Sequence, residues 1–399
     1  MTQLQYAHIT TPRQLSQFCD DLAELPAIAF DTEFVSEDSY RSELCLVQVA
    51  AGERLAAIDA LAIRDLTPFW ERLAAPGHTT IVHAGREDLC FCLHAIGRRP
   101  HAVFDIQIAA GLIGLEYPAA YSTLIAKLLG KSLGKGETRT DWRRRPLSSR
   151  QIDYALQDVV HLERLRDILV RKLDLLGRLP WLDTELDSWQ SQLEESELSE
   201  RWRRVSGVAN LPPRSLVIAR QLWHWRDAEA RQLNRPARRI LRDDLLAELA
   251  KRAVAEPLQI RALRGMEHRD KQKYVADISE CIRQALELPQ EAWPAPSERT
   301  ANRPQLTLLA QFLAAALGCV CRSQQVAASL VGTVQDVRDL IAYRLGLDTP
   351  HNAELPALAR GWRAEVVGRT LEDLLAGKLS FYIADPLGEQ PLGFEPRKG

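Results

Sequence analysis

Through residues 1–182, short apolar runs alternate with segments in which apolar residues recur every three or four positions. The runs AIAFDTEF, LCLVQVA, RLAAIDA, TTIVHAG and AVFDI predict strands. LTPFWERLAA and REDLCFCLHAIG predict helices between them, and a last helix runs from about Ser149 to Leu176. Strands early, with helices between and after them, argue for an α/β layered domain with a mixed central sheet. Beyond Leu182 the strand pattern nearly vanishes. TELDSWQSQLEESELSERWRRV reads as a polar helical connector over 183–210, and several helical segments follow within 211–290. LPQEAWPAPSERTANRP, rich in Pro and polar residues, marks a linker over 291–304. A second all-helical segment covers 305–381, and DPLGEQPLGFEPRKG leaves 382–399 as an irregular tail.

One predicted strand breaks its own pattern. In AIAFDTEFV, Ile28, Phe30, Thr32 and Phe34 share one face, while Ala29, Asp31, Glu33 and Val35 share the other. Two acids side by side in a low-dielectric place repel each other, and each is costly to desolvate. Two further segments bring acids of the same kind. Asp88 stands near the start of the helix after TTIVHAG. Tyr154 and Asp158, at i and i+4 in YALQDVV, project from one helical face beside the apolar stripe of Ile152, Ala155, Leu156 and Val159. Each piece has a plain alternative: an exposed sheet face, an acid answering a helix dipole, a solvated helix face. Together they supply four carboxylates and no His or Cys, a hard-oxygen set suited to Mg²⁺ or Mn²⁺. Two such ions can clamp a phosphodiester.

Nearby residues carry smaller expectations. Lys135, Arg139 and Arg143, in a Gly-bearing loop before the Tyr154 helix, are placed to meet substrate phosphates. His83 reads as a packed or hydrogen-bonded histidine and Asp105 as a helix N-cap, while Ser148 and Gln151 have capping-box spacing.

Composition narrows the class. The chain has 399 residues, 46% hydrophobic and 26% charged, with a net charge of −2, so no global charge announces a nucleic-acid partner. The local distribution does: residues 201–242 hold eleven Arg against Asp227 and Glu229. Trp223 and Arg226 there are candidates for stacking on bases and neutralising phosphates. Seven Cys, two pairs of them spaced CxC without His partners, suit buried thiols in a cytoplasmic protein rather than zinc or disulfides. LTLLAQFLAAALGCVC, interrupted by Gln311, falls short of the ~18–20 apolar residues of a membrane span. No Walker or GxGxxG loop is present, which speaks against an ATP-driven helicase.

FDTEF, HAGREDL and YALQDV resemble the three exonuclease motifs of the DEDD superfamily in its tyrosine-bearing subgroup. KGETRTDWRRRPLSSRQIDYALQDV is similar to bacterial ribonuclease D, and WRDAEARQLNRPARRILRDDLLAELAKR resembles the HRDC domain. LARGWRAEVVGRTLEDLLAGK is similar to the diverged second helical module of ribonuclease D. The resemblance implies an RNase H-like exonuclease domain followed by HRDC and HRDC-like helical domains. It makes Asp31, Glu33, Asp88 and Asp158 the ligands of two divalent cations, Mg²⁺ or Mn²⁺, and Tyr154 the residue that orients the attacking water. It further implies 3′→5′ release of 5′-nucleotides from RNA with a free single-stranded 3′ end, such as precursor tRNA. A DNA-directed exonuclease and a non-catalytic RNA-binding scaffold are the competing expectations. No membrane and no protein partner is indicated.

Overall fold

The computed structural model describes residues 4–132, 140–295, 304–347 and 355–397. They fall into two units: Met1–Glu33, Cys45–Leu193 and Arg299–Gly399 form one, and Phe34–Leu44 with Glu194–Glu298 form the other.

The first unit is built on a six-stranded sheet. Its strands are β1 (Ala7–Ile9), β2 (Ala27–Val35), β3 (Glu43–Ala51), β4 (Arg54–Asp59), β5 (Thr79–Val82) and β6 (Val103–Asp105). The spatial order is β1-β4-β3-β2-β5-β6. β3 pairs antiparallel with β4, placing Gln48 opposite Ala57, whereas β1–β4, β2–β5 and β5–β6 are parallel. The sheet is therefore mixed, as the strand pattern predicts; β1 alone lacked a readable signal, because three residues are too few for alternation. β2 lies inside the sheet with a layer on each side, so Ala27 to Phe30 are all buried.

On one side of β2, Phe30 meets Phe69 and Trp70 edge-on at 6.1 and 6.2 Å. This layer holds α1 (Pro12–Asp21), α2 (Thr67–Ala74) and α3 (Arg86–Ile96). On the other side Ala27 and Ala29 join a core with α4 (Ile106–Leu112), α5 (Tyr121–Leu124) and α7 (Leu162–Leu175), and α6 (Ser149–Gln157) packs on β4. The single helix expected over 149–176 is thus two: α6 ends with Asp158 at its C-cap, and a turn through His161 separates it from α7.

The same core continues into the C-terminal helices, so residues 305–381 do not stand apart as the sequence pattern suggested. Leu306, Ala310, Leu313 and Leu317 of α12 (Pro304–Ser323; the helices are numbered here with α8 Leu179–Leu198, α9 Pro213–Gln232, α10 Asp243–Arg252 and α11 Val275–Glu287 before it) bury against the same cluster as Leu165 and Leu169. Polar clasps fix this packing. The buried Arg178 guanidinium donates to the carbonyls of Leu112 at 2.6 Å, Gln325 at 2.7 Å and Gln324. Arg363 grips Glu185 with two bonds of 2.6 and 2.8 Å. At Gly114, φ is +84° and a Cβ would sit 2.9 Å from the Gln325 backbone, so only glycine permits the approach. By length and hydropathy, Gln305–Ser323 does reach what a membrane span needs, contrary to the expectation. Its inward stripe is spent on this core. The tail is not irregular either: β7 (Leu379–Ile383) and β8 (Leu392–Pro396) form an antiparallel hairpin. Phe381 and Phe394 face each other across it at 6.1 Å, and Phe381 also meets Phe312 at 4.5 Å.

The second unit gathers α9, α10 and α11 around Trp202, Leu216, Leu246 and Ile278. The 34–44 segment belongs to it: the Tyr40 hydroxyl donates to Asp227 at 2.8 Å, and the Arg231 guanidinium lies over the Tyr40 ring.

Candidate active site

β2 presents Asp31 and Glu33 on the face shared with Ala27 and Ala29, at the end where burial gives way to partial exposure. α3 supplies Asp88 in its first turn. The chain reaches that turn through Ala84, at φ +54°, and Gly85, where a Cβ would lie 2.6 Å from Val82. The buried Asp105 fastens the same turn. Its carboxylate caps α4 through the amides of Gln107 (2.7 Å) and Ile108 (3.3 Å), and it accepts the Gly85 amide at 3.0 Å. Asp105 is therefore the N-cap expected and also a tie between the start of α3 and α4. His83 donates through Nε2 to the Ala119 carbonyl at 3.0 Å, as a hydrogen-bonded histidine would.

α6 supplies Tyr154 and Asp158. Its start is fixed by the Ser148–Gln151 capping box, and the loop before it by a residue that local pattern could not single out. Arg145 forms a two-bond ion pair with Asp59, at 2.6 and 2.8 Å, and donates to the Trp142 and Cys45 carbonyls. Burial would raise the Asp59 pKa, but Arg145 and the amides of Ala62 and Leu61 outweigh it and hold the carboxyl below its ordinary range. The pair therefore stays charged and anchors α6 to the end of β4. Trp142, held by this loop, is buried and stacks on the Tyr154 ring at 6.3 Å with 22° between planes.

The four acids lie within each other's field. Burial first, then Asp88, Asp158 and Glu33, push the Asp31 carboxyl well above its ordinary range. Glu33 rises to about 8 from burial, Asp158 and Asp88. Asp88 rises to about 7 through burial, although the Thr32 hydroxyl donates to it at 2.5 Å. Asp158 rises to about 6 through burial. The Tyr154 phenol is pushed to about 12 by burial and by Asp158, Glu33 and Asp31. No Lys or Arg figures among these causes. A carboxylate cluster without a cationic side chain is held together only by protons or by added cations. Among the described residues no three His, Cys, Asp or Glu side chains are set closely enough to hold an ion as they stand. The Thr32 hydroxyl holds Asp88, and an oxygen-only donor set fits a hard divalent cation.

The remaining candidates are of several kinds. Lys135 and Arg139 lie outside the described residues. Arg143 is exposed, with Nε bonded to Asp141 at 3.1 Å. Trp223 is half-buried against the core of the second unit, edge-on to His224. Arg226 departs from expectation: it is 4% exposed, and its guanidinium is bound to Asp243 (2.7 Å) and the Leu241 carbonyl (3.0 Å). It is a core clasp between α9 and α10, not a phosphate contact; an Arg-rich stretch does not itself say which Arg turns inward.

Comparison with known proteins agrees with this arrangement. Residues 6–174 match a 3′–5′ exonuclease family and residues 215–282 match the HRDC domain. A ribonuclease D of Sphingobium indicum is 36% identical over 386 residues, covering 94% of this chain and 96% of its own length. That of Escherichia coli K12 is 29% identical over 376 residues, covering 93% and 99%. The crystal structure of E. coli RNase D, described as an exoribonuclease involved in structured RNA processing, matches with a TM-score of 0.79 over 94% of this chain and 99% of that one. These matches run along nearly the whole length of both chains, and the chain belongs to the ribonuclease D family.

Proposed function

We propose that this protein is a metal-dependent 3′→5′ exoribonuclease that releases 5′-nucleotides and trims the 3′ ends of precursor tRNA and similar structured RNAs. The observation that carries this reading is the cluster of Asp31, Glu33, Asp88 and Asp158. Burial raises all four, repulsion from the other acids of the cluster adds to Asp31 and Glu33, and no Lys or Arg among the described residues figures among the causes. Such a cluster is maintained against its own cost where function needs it. The four carboxylates would hold two divalent cations, Mg²⁺ or Mn²⁺. When bound, the cations supply Lewis-acid stabilisation at the attacked phosphodiester.

The protein's own groups set the geometry. Asp31 is central, since it feels each of the other three acids. The Tyr154 phenol stays protonated through the neutral range, so its hydroxyl can hold a water in line with the scissile bond. Trp142, stacked on the ring, limits its swing. Tyr154→Phe leaves that stacking and removes only the hydroxyl. We expect it to fold with unchanged Tm and to lose about 10²-fold in single-turnover rate, the upper part of a positioning group's usual contribution being out of reach while the cations remain. Equal rates for Tyr and Phe would remove the orienting role.

RNA preference is supported by the family and by the E. coli protein's being an exoribonuclease involved in structured RNA processing. Matched RNA and DNA oligonucleotides with single-stranded 3′ ends, incubated with Mn²⁺ and with chelator, test the whole reading. Stepwise shortening of RNA that chelator stops is the expected result. Faster loss of DNA would make the protein a DNA-directed exonuclease, and no shortening of either would make it a binding scaffold. All seven cysteines are free thiols, which supports a cytoplasmic setting.

A further inference from the structure

β2 is held at both ends, but by different units. β5 pairs with it from Ala27 to Ala29, short of both acids, while the strand itself runs on to Val35. Directly after Glu33 the chain leaves the first unit. Phe34–Leu44 belongs with the helices that match the HRDC domain, and the chain rejoins the sheet's unit at Cys45.

Tyr40 fastens this segment. Its ring is half-buried against the core of the second unit. Its hydroxyl donates to Asp227 Oδ1 at 2.8 Å and accepts from Arg231 at 3.4 Å, and Arg231 also binds Asp227 Oδ2 at 3.1 Å. The same guanidinium lies 5.6 Å from the ring centroid, where cation and ring attract. The Tyr40 amide donates to Asn234 Oδ1 at 3.2 Å. Asn234 follows the C-cap of α9 at φ +46°, a conformation asparagine tolerates. Asp227 and Arg231 are one turn apart on α9, so hydroxyl, ring and amide all engage one end of one helix. Asp38 pairs with Arg239 at 2.9 Å, but both are exposed and such a pair adds little.

We propose that Tyr40 is a positioning residue for the reaction: by fastening 34–44 to α9 it holds the Glu33 end of β2 in place for cation binding. The helical unit then serves the chemical step itself. Glu33 needs such a hold because Asp158 and Asp88 repel its carboxylate. This rests on the reading of Glu33 as a cation ligand. Groups that orient ligating carboxylates are worth about tenfold or more in metal affinity or activity.

The test uses Tyr40→Phe, which removes the hydroxyl, and Tyr40→Ala, which removes the ring as well, both in the full-length protein. Hydrogen exchange without cation reads the strand, calorimetry reads Mn²⁺ binding, and trimming of an RNA with a single-stranded 3′ end reads kcat and KM separately. Tyr40→Ala should speed exchange over 32–44 and lower Mn²⁺ affinity and kcat about tenfold, with KM unchanged. Tyr40→Phe should move the same readings by less, and Asp227→Ala should add little to it, since both break one bond. Should Tyr40→Ala melt below the assay temperature, Tyr40→Phe decides by the same readings. Wild-type Mn²⁺ affinity in both variants overturns the assignment. A raised KM at wild-type kcat does so too, and makes the clamp part of an RNA-binding surface. In a Glu33→Gln background Tyr40→Ala should cost no further Mn²⁺ affinity, and a full additional loss overturns the proposal. If Glu33→Gln itself binds Mn²⁺ like wild type, the ligand reading beneath the proposal falls instead, and the two failures are told apart.

Discussion

Asp31→Asn lowers the rate of RNA shortening about a thousandfold, equivalent to roughly 4 kcal/mol of transition-state stabilisation, without unfolding the protein. Asp31 is the acid on which the other three converge: Asp88, Asp158 and Glu33 all raise it. A cation placed among them meets Asp31 whichever of the others it also touches. Asparagine keeps the shape and one oxygen but removes the charge, so it weakens the hold on a cation where the reaction most needs it. Stability should move the other way. The buried carboxylate is a source of repulsion, and the neutral amide removes it, so the Tm without added cation is expected to hold or rise. A labelled RNA with a single-stranded 3′ end, degraded under single-turnover conditions with excess Mn²⁺, reads the rate, and a thermal melt reads the fold. A variant that melts normally and still trims at wild-type rate would show that Asp31 is a structural acid and that the chemistry lies elsewhere.

How much of this site was readable from residue order depends on the distance over which each feature is encoded. Alternation in AIAFDTEFV put Asp31 and Glu33 on one face because side-chain direction in a strand is a two-residue property. The i, i+4 spacing of Tyr154 and Asp158 and the Ser148–Gln151 box are likewise settled within one or two turns. The Arg145–Asp59 pair is not: its members are 86 positions apart, and nothing local to either marks the other. Arg226 shows the opposite error. A dense Arg run gave a true prediction of a basic stretch, but helical phase turned that one side chain into the core beside Asp243. The C-terminal helices read as a separate body because periodicity shows that a face is apolar without naming what covers it. Here their cover is α4 and α7.

The acid cluster also fixes how pH and cation must trade against each other. Glu33 and Asp88 stand at about 8 and 7 in the folded protein, against ordinary values of 4.5 and 3.8, and Asp158 at about 6 against 3.8. Each folded value lies above the unfolded one, so the native state holds these protons more tightly. The stability this contributes is complete below about pH 4 and is lost progressively as pH rises from there to about 8, Asp158's share going by about pH 6 and Glu33's last. Without added cation, Tm should therefore fall across that window. A divalent cation needs the same carboxylates deprotonated, so its affinity runs the opposite way. Each displaced proton costs a factor of about ten per pH unit below its pKa. With two acids still protonated at pH 6, Mn²⁺ affinity should drop roughly a hundredfold or more between pH 8 and pH 6. A cation at a hundred times its Kd stabilises by about 2.7 kcal/mol. Mn²⁺ should accordingly raise Tm most at pH 8 and scarcely at pH 5, crossing the trend of the cation-free protein. Glu33→Gln, which removes the group raised to about 8, should flatten both slopes. If Mn²⁺ raised Tm equally at pH 5 and pH 8, the ion would be bound somewhere other than these four carboxylates, because no site built from them can take a cation at pH 5 without first expelling the protons that hold it together.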